Sequence, residues 1–243
     1  MGGFSHGWFA PPTSLCPSNR NGQERSIPFP HPPPPARAGI AALAASDPDL
    51  ARIETAAGPL PWRRRAGGFP GLLQAIVGQQ ISNQAAAAIW RRLHATAGAL
   101  EPQGLLALPD ETLRLAGLSR PKIAHARALA EAFAGGRLSE AGLAGMPDAE
   151  AVAAIASVRG MGTWSAEIYL LFALERNDVF PAGDLALAGA AADLKGLAAR
   201  PGPAALRLLA EPWQPWRALA ARLLWHHWRH VTGRPAMDDL PPA

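Results

Sequence analysis

The sequence predicts an all-α protein, on three observations. Alanine and leucine dominate from residue 39 onward, while the 243-residue chain holds only five valines and six threonines, the residue types that strands favour. Apolar residues such as Leu72, Leu73, Ile76 and Val77 recur at helical spacing. Between such stretches stand Gly, Pro, Ser and Asp where helices start and stop.

Each element follows from these signals. Residues 1–38 carry Pro11-Pro12 and Pro32 to Pro35 among Gly and Ser, with no periodic apolar pattern, and are expected to be a disordered tail. Residues 38–45 and 49–57 read as short helices parted by Ser46-Asp47-Pro48. A long helix is expected over 69–97, with Ile81 and Ile89 continuing its apolar side, a bend at Gly78 and a stop at Gly98. Asp110 is expected to cap 111–116. Ser119 is expected to cap a helix with Pro121 in its first turn, ending at Gly135-Gly136. Short helices follow over 139–142 and 148–157. After the turn 158–163 come a helix over 164–174, a loop through Pro181 and a helix over 184–194. The last pair cover 203–210 and 216–231, and 233–243 read as coil. No repeat period stands out, which excludes a solenoid.

Composition narrows the class. Hydrophobic residues make 49% of the chain and charged residues 17%, a globular balance. The single cysteine, Cys16, excludes an internal disulfide, a Cys-rich zinc site and a cysteine-ligated iron–sulfur cluster. No apolar run reaches the roughly 18 to 20 residues that span a bilayer, and no basic and apolar leader opens the chain, so a cytoplasmic protein without a membrane partner is expected. Net charge is only +4, and Lys122 and Lys195 are the only lysines, so any grip on nucleic acid must be local and mostly arginine.

The most informative stretch is Val158-Arg159-Gly160-Met161-Gly162-Thr163-Trp164-Ser165-Ala166, a Gly-x-Gly turn between two helices. Glycines allow a tight backbone, and the free N–H groups of the next helix's first turn make an anion site that suits a DNA phosphate. From this segment alone an ordinary glycine-capped helix joint is the default reading. Twenty positions after Trp164, Asp184 follows Phe180-Pro181-Ala182-Gly183, which by itself reads as an N-cap.

Together the two segments resemble the helix–hairpin–helix DNA glycosylase superfamily, and within it the DNA-3-methyladenine glycosylase II group. Three further segments are similar to that group: Ile76-Val77-Gly78-Gln79-Gln80-Ile81-Ser82, Gly117-Leu118-Ser119-Arg120-Pro121-Lys122, and Trp213-Gln214-Pro215-Trp216-Arg217 with Trp225. The likeness spans residues 40–232 and implies two helical lobes over 39–232 around a cleft that holds Asp184.

The resemblance implies a glycosylase that flips an alkylated purine out of damaged double-stranded DNA and hydrolyses its N-glycosidic bond in base excision repair. N-methylated purines carry positive charge, so an indole face attracts them by about 0.5 to 2 kcal/mol over neutral bases. Trp164, Trp216 and Gln79 are the expected base pocket. Trp216 reads equally as a core residue. Asp184 is the expected catalytic carboxylate, stabilising an oxocarbenium-like sugar and orienting or deprotonating water. Gln80, Ser82, Lys122, Gly160, Gly162 and Thr163 are the expected DNA contacts, with Gln79 and Gln80 where relatives plug the gap left by the flipped base; the two read equally as a buried amide pair tying helices together. Relatives that also cut the strand use a lysine in the hairpin helix. Trp164 matches that position, so no lyase activity is expected.

The family suggests a monovalent cation on hairpin carbonyls and no other cofactor. No metal site is expected: His226, His227 and His230 lack a further ligand at suitable spacing. Arg63-Arg64-Arg65 reads as a DNA-backbone contact or a solvated run. The protein is expected to work as a nucleoid-associated monomer. Two departures stand out: Ala188-Gly189 where relatives commonly carry basic residues, and Arg159 in place of a proline. They keep open a non-catalytic lesion-binding protein and a helical protein-interaction module. A glycosylase for another damaged base is the closer alternative.

Overall fold

The computed structural model describes residues 31–233 and is built of helices alone within them. Most of the expected tail, with Cys16, and the end from 234 onward lie outside the described residues. Of the rest of the expected tail, 31–33 are irregular but 34–38 are helical: α1 spans Pro34–Ser46, because prolines at the first helical positions need no N–H partner. Arg52 then splits the expected 49–57 helix into α2, Pro48–Ala51, and α3, Ile53–Ala57.

The expected long helix is two helices. The first, α4, spans Gly68–Gly78, and α5 spans Asn83–Ala95. Gln80 between them adopts a left-handed backbone, φ 56°, which a right-handed helix cannot contain. Ser82 restarts the helix by accepting from the Ala85 N–H at 3.2 Å. A short helix not foreseen from sequence, α6, spans Pro102–Ala107. In α7, Asp110–Leu115, Asp110 is the first helical residue rather than the cap, and its carboxylate pairs with Arg127 at 2.5 Å. Ser119 precedes α8, Arg120–Ala134, without a side-chain cap bond.

The chain continues through α9, Glu140–Gly145, and α10, Asp148–Ala156, to α11, Thr163–Phe172. It ends with α12, Leu185–Leu194; α13, Pro203–Ala210; a 3-10 turn, Glu211–Trp213; and α14, Arg217–Thr232. Most boundaries differ from expectation by one to three residues, and the 3-10 turn was not foreseen.

Two hydrophobic clusters divide the body. One is built from α4–α10 and takes Ala166, Tyr169 and Leu170 from α11. The other joins α1–α3 to α12–α14 and takes Ile168, Leu171 and Phe172 from α11. The helix is therefore the shared wall of both lobes, and each face buries a different set of its residues.

A buried ion cluster closes the second lobe. Asp47 caps α2, its carboxylate accepts from Lys195 Nζ at 2.7 and 2.8 Å and from Trp213 Nε1 at 2.8 Å, and Lys195 also reaches Asp49 at 2.9 Å. Burial alone would raise the Asp47 carboxyl, but these donors hold it below its ordinary value. Asp47→Ala would strand the Lys195 charge and Trp213 N–H, so we expect a loss of about 3 kcal/mol in urea unfolding.

Candidate active site

Asp184 is placed by the turn that precedes it. The Pro181 carbonyl accepts from the Asp184 N–H at 2.9 Å, and Phe180 packs edge-on against Trp213. The side chain caps α12: Oδ1 accepts from the Ala186 and Leu187 N–H groups, both at 2.9 Å. Two indoles complete the shell. Trp164 Nε1 donates to Oδ2 at 2.9 Å, and Trp225 Nε1 donates to Oδ1 at 3.2 Å.

Only 8% of Asp184 is exposed, so these four donors take the place of water around the carboxylate. Oδ1 has three of them and is saturated. Oδ2 has one and keeps a lone pair for an incoming group. Leu185, the next residue, is 75% exposed and puts apolar surface beside the acid.

The indoles are themselves held. Trp225 stacks on Phe172 with ring centroids 5.6 Å apart. The Arg222 guanidinium lies 4.4 Å from the Phe172 centroid and 4.1 Å from that of Trp62, and donates to the carbonyls of Arg63 and Leu171. Trp164 is half-buried against the second lobe, one residue into α11.

The Gly-x-Gly turn joins α10 to α11. Gly160 has φ +88°, and a Cβ there would lie 2.1 Å from His125 Cγ, so both backbone and neighbour demand glycine. Gly162 occupies the N-cap of α11 and supplies no side-chain acceptor; it and Thr163 are exposed, and the first turn has no acidic residue. The first-turn N–H groups of α11 therefore have no side-chain cap within the fold. Val158 and Gly160 carbonyls each accept one hydrogen bond and keep a second lone pair. Such hard oxygen donors fit a monovalent cation, which would add positive charge near a bound phosphate.

The other sequence-derived candidates divide. Gln79 does not face Asp184: its Nε2 donates to the Gly160 carbonyl at 2.9 Å and ties the α4–α5 turn to the hairpin. Gln80 is exposed beside it. Ser82 caps α5 and is exposed. Lys122 donates to the Val77 carbonyl at 2.7 Å, closing the C-terminus of α4, and burial lowers its pKa. Trp216 stands nine residues before Trp225, about 13.5 Å of helix rise away, against Gly39 of α1, and is not part of the Asp184 shell. Trp225 on the same helix reaches Asp184 instead, a contact that its place beside the Trp213–Arg217 segment did not single out.

Arg64, Arg65, His226 and His227 have partners within the fold. Arg64 pairs with Glu175 at 2.7 Å, and Arg65 lies over Phe172. His226 Nε2 donates to the Gly58 carbonyl, while His227 meets Asp193. Ala188 and Gly189 are buried, and a Cβ on Gly189 would lie 2.8 Å from the Trp228 ring. Tight packing of α12 on α14 thus leaves a basic side chain no room there.

The family model of the HhH-GPD superfamily base excision DNA repair proteins matches residues 73–215. The chain belongs to this superfamily. It is similar to the alkylbase DNA glycosidase-like protein mag2 of Schizosaccharomyces pombe, 27% identical over 162 residues, 65% of this chain and 76% of mag2. Among solved structures it is similar to a DNA-3-methyladenine glycosidase from Bacillus halodurans, with TM-score 0.73 and 29% identity over 83% of this chain and 94% of that one. It also matches the S. pombe 3-methyladenine DNA glycosylase Mag1 in complex with abasic DNA, with TM-score 0.69 and 25% identity over 79% of this chain and 95% of that one. Superfamily membership makes this chain a DNA-binding protein.

Two predictions follow from the local physics. Gly160→Ala combines a strained φ with a clash at His125, and we expect thermal unfolding to show a loss of about 1 to 3 kcal/mol. Beside α11, a concavity lined by Asp148, Glu167, Arg207 and Arg217 half-buries Glu167, and that partial burial pushes its carboxyl up to about 7 against the pull of Arg207. A folded value above the unfolded one favours folding at acid pH, and the contribution is lost as pH rises through about 7. Calorimetry should find that Glu167→Gln melts above wild type at pH ~8 and that this advantage disappears by pH ~5.

Proposed function

We propose that this protein is a monofunctional DNA glycosylase that hydrolyses the N-glycosidic bond of alkylated purines, of the 3-methyladenine and 7-methylguanine type, in base excision repair. The observation that carries the reading is the Asp184 carboxylate held by two indole N–H groups at a helix N-terminus.

A flipped N-methylpurine is a cation and leaves with little acid assistance. The charge that develops on the sugar needs a nearby anion, and a preorganised carboxylate supplies it without reorganising water. Oδ2 is the oxygen with capacity to face the sugar or align the attacking water. The Trp164 ring offers an electron-rich wall to the cationic base. The hairpin N–H groups hold a phosphate, and Gln80 stands ready to fill the gap in the stack.

Strand cleavage by an amine has no support in the site. Trp164 occupies the hairpin-helix position, Lys122 is bound to a carbonyl and Lys195 to Asp47 and Asp49. Among the described residues no helix is long and apolar enough to cross a membrane. With DNA as substrate, we place the protein in the cytoplasm, at the nucleoid, acting as a monomer on damaged double-stranded DNA.

The test is release of free methylpurine from alkylated duplex DNA. We expect release by wild type, a loss of at least about 100-fold in Asp184→Asn, and no borohydride-trapped enzyme–DNA adduct. Tight binding of abasic duplex without release would instead mark a lesion-binding protein.

A further inference from the structure

Three segments meet at one corner of the first lobe. The α4–α5 turn presents Gln80, and Gln79 beside it donates to the Gly160 carbonyl of the hairpin. The first turns of α8 reach both neighbours, through Lys122 to the Val77 carbonyl and through the His125 ring packed on Gly160. Two arginines border these contacts. Arg120 opens α8, two residues before Lys122, and Arg159 precedes Gly160 in the hairpin.

Both are exposed, and neither has an ion pair or hydrogen-bond partner among the described residues. Other arginines nearby are engaged within the fold: Arg92 donates to the Ala116 carbonyl, Arg127 pairs with Asp110, and Arg176 binds three carbonyls of the 143–146 segment. Arg120 and Arg159 have no such engagement, and each borders in sequence one of the segments that meet beside Gln80: Arg120 two residues before Lys122, Arg159 next to Gly160. On α12, the Trp228 ring covers Gly189 and leaves no room for a basic side chain at that position.

We propose that Arg120 and Arg159 each bind a DNA backbone phosphate around the turn that presents Gln80, and supply a grip that position 189 of α12 cannot. The inference rests on the glycosylase reading above. A chain of net charge +4 has little general field for DNA, so two arginines placed at the point of insertion count heavily toward affinity. Guanidinium suits the role, since its planar fork makes paired hydrogen bonds to phosphate oxygens. A residue pushed into the stack also needs the flanking backbone held while bases separate.

The experiment uses the full chain and a duplex with a tetrahydrofuran abasic analogue, titrated across a potassium chloride series. Each phosphate contact contributes about 0.9 to the slope of log affinity against log salt. We expect Arg120→Ala and Arg159→Ala each to flatten the slope by about 0.9, and the double variant by about 1.8. Arg137→Ala is the matched control: Arg137 is also exposed and unpartnered among the described residues, but stands past the far end of α8, about 20 Å of helix rise away. It removes the same charge and should leave the slope unchanged.

A wild-type slope in either arginine variant would overturn the paired assignment, as would an equal change in Arg137→Ala. A wild type with no salt-dependent affinity for the duplex would overturn the glycosylase reading and the inference together. Steep wild-type dependence with unchanged variants would overturn the inference alone.

Discussion

The structure turns on one carboxylate held by four hydrogen-bond donors inside a nearly dry site. Asp184 is 8% exposed, and burying a charge is costly unless hydrogen bonds replace the lost water. The donors come from three elements: two backbone N–H groups of α12, one indole from α11 and one from α14. The packing of those helices against one another can therefore be read as the means of holding four donors at one point. Three fall on Oδ1 and one on Oδ2, an asymmetry that fixes the plane of the carboxylate and leaves one oxygen for chemistry.

The role of α11 explains why the site lies where it does. It buries one face in each lobe and carries the hairpin N–H groups at its start and Trp164 one residue later. The helix start and the Trp164 ring are thereby set a fixed distance apart. Gln79 and His125 then lock the hairpin to the first lobe, while Phe172, at the other end of the same helix, supports Trp225. Gly189 under Trp228 belongs to this logic, because close approach of α12 to α14 brings Trp225 within reach of Asp184.

Much of this was legible in the sequence, and the misses have physical causes. Helix content and most boundaries followed from composition and from Pro, Gly and Ser punctuation. Asp184 and Trp164 were singled out through the family resemblance of their two segments, and the structure brings the two side chains together in one hydrogen bond. The continuous 69–97 helix failed because helical periodicity runs through Gln79 to Ser82, whereas the left-handed backbone at Gln80 is visible only in three dimensions. Prolines 34 and 35 read as coil by composition, yet a helix start tolerates them. Trp216 was favoured over Trp225 because it stands in the stronger motif, but motif strength does not report which residue a helix turns toward the acid. Gln79 and Lys122 have side chains suited to DNA, and the fold uses both on carbonyls instead.

The central claim is that the indole donors make Asp184 an effective anion in the transition state. Trp225→Phe tests it most directly, since it keeps the stack on Phe172 and removes one hydrogen bond to the carboxylate. The measurement is the single-turnover rate of 7-methylguanine release alongside affinity for abasic duplex. A hydrogen bond to a charged group is worth about 1.5 to 3 kcal/mol, so the account predicts a rate lowered about 10- to 100-fold with affinity nearly unchanged. A wild-type rate in Trp225→Phe would contradict it.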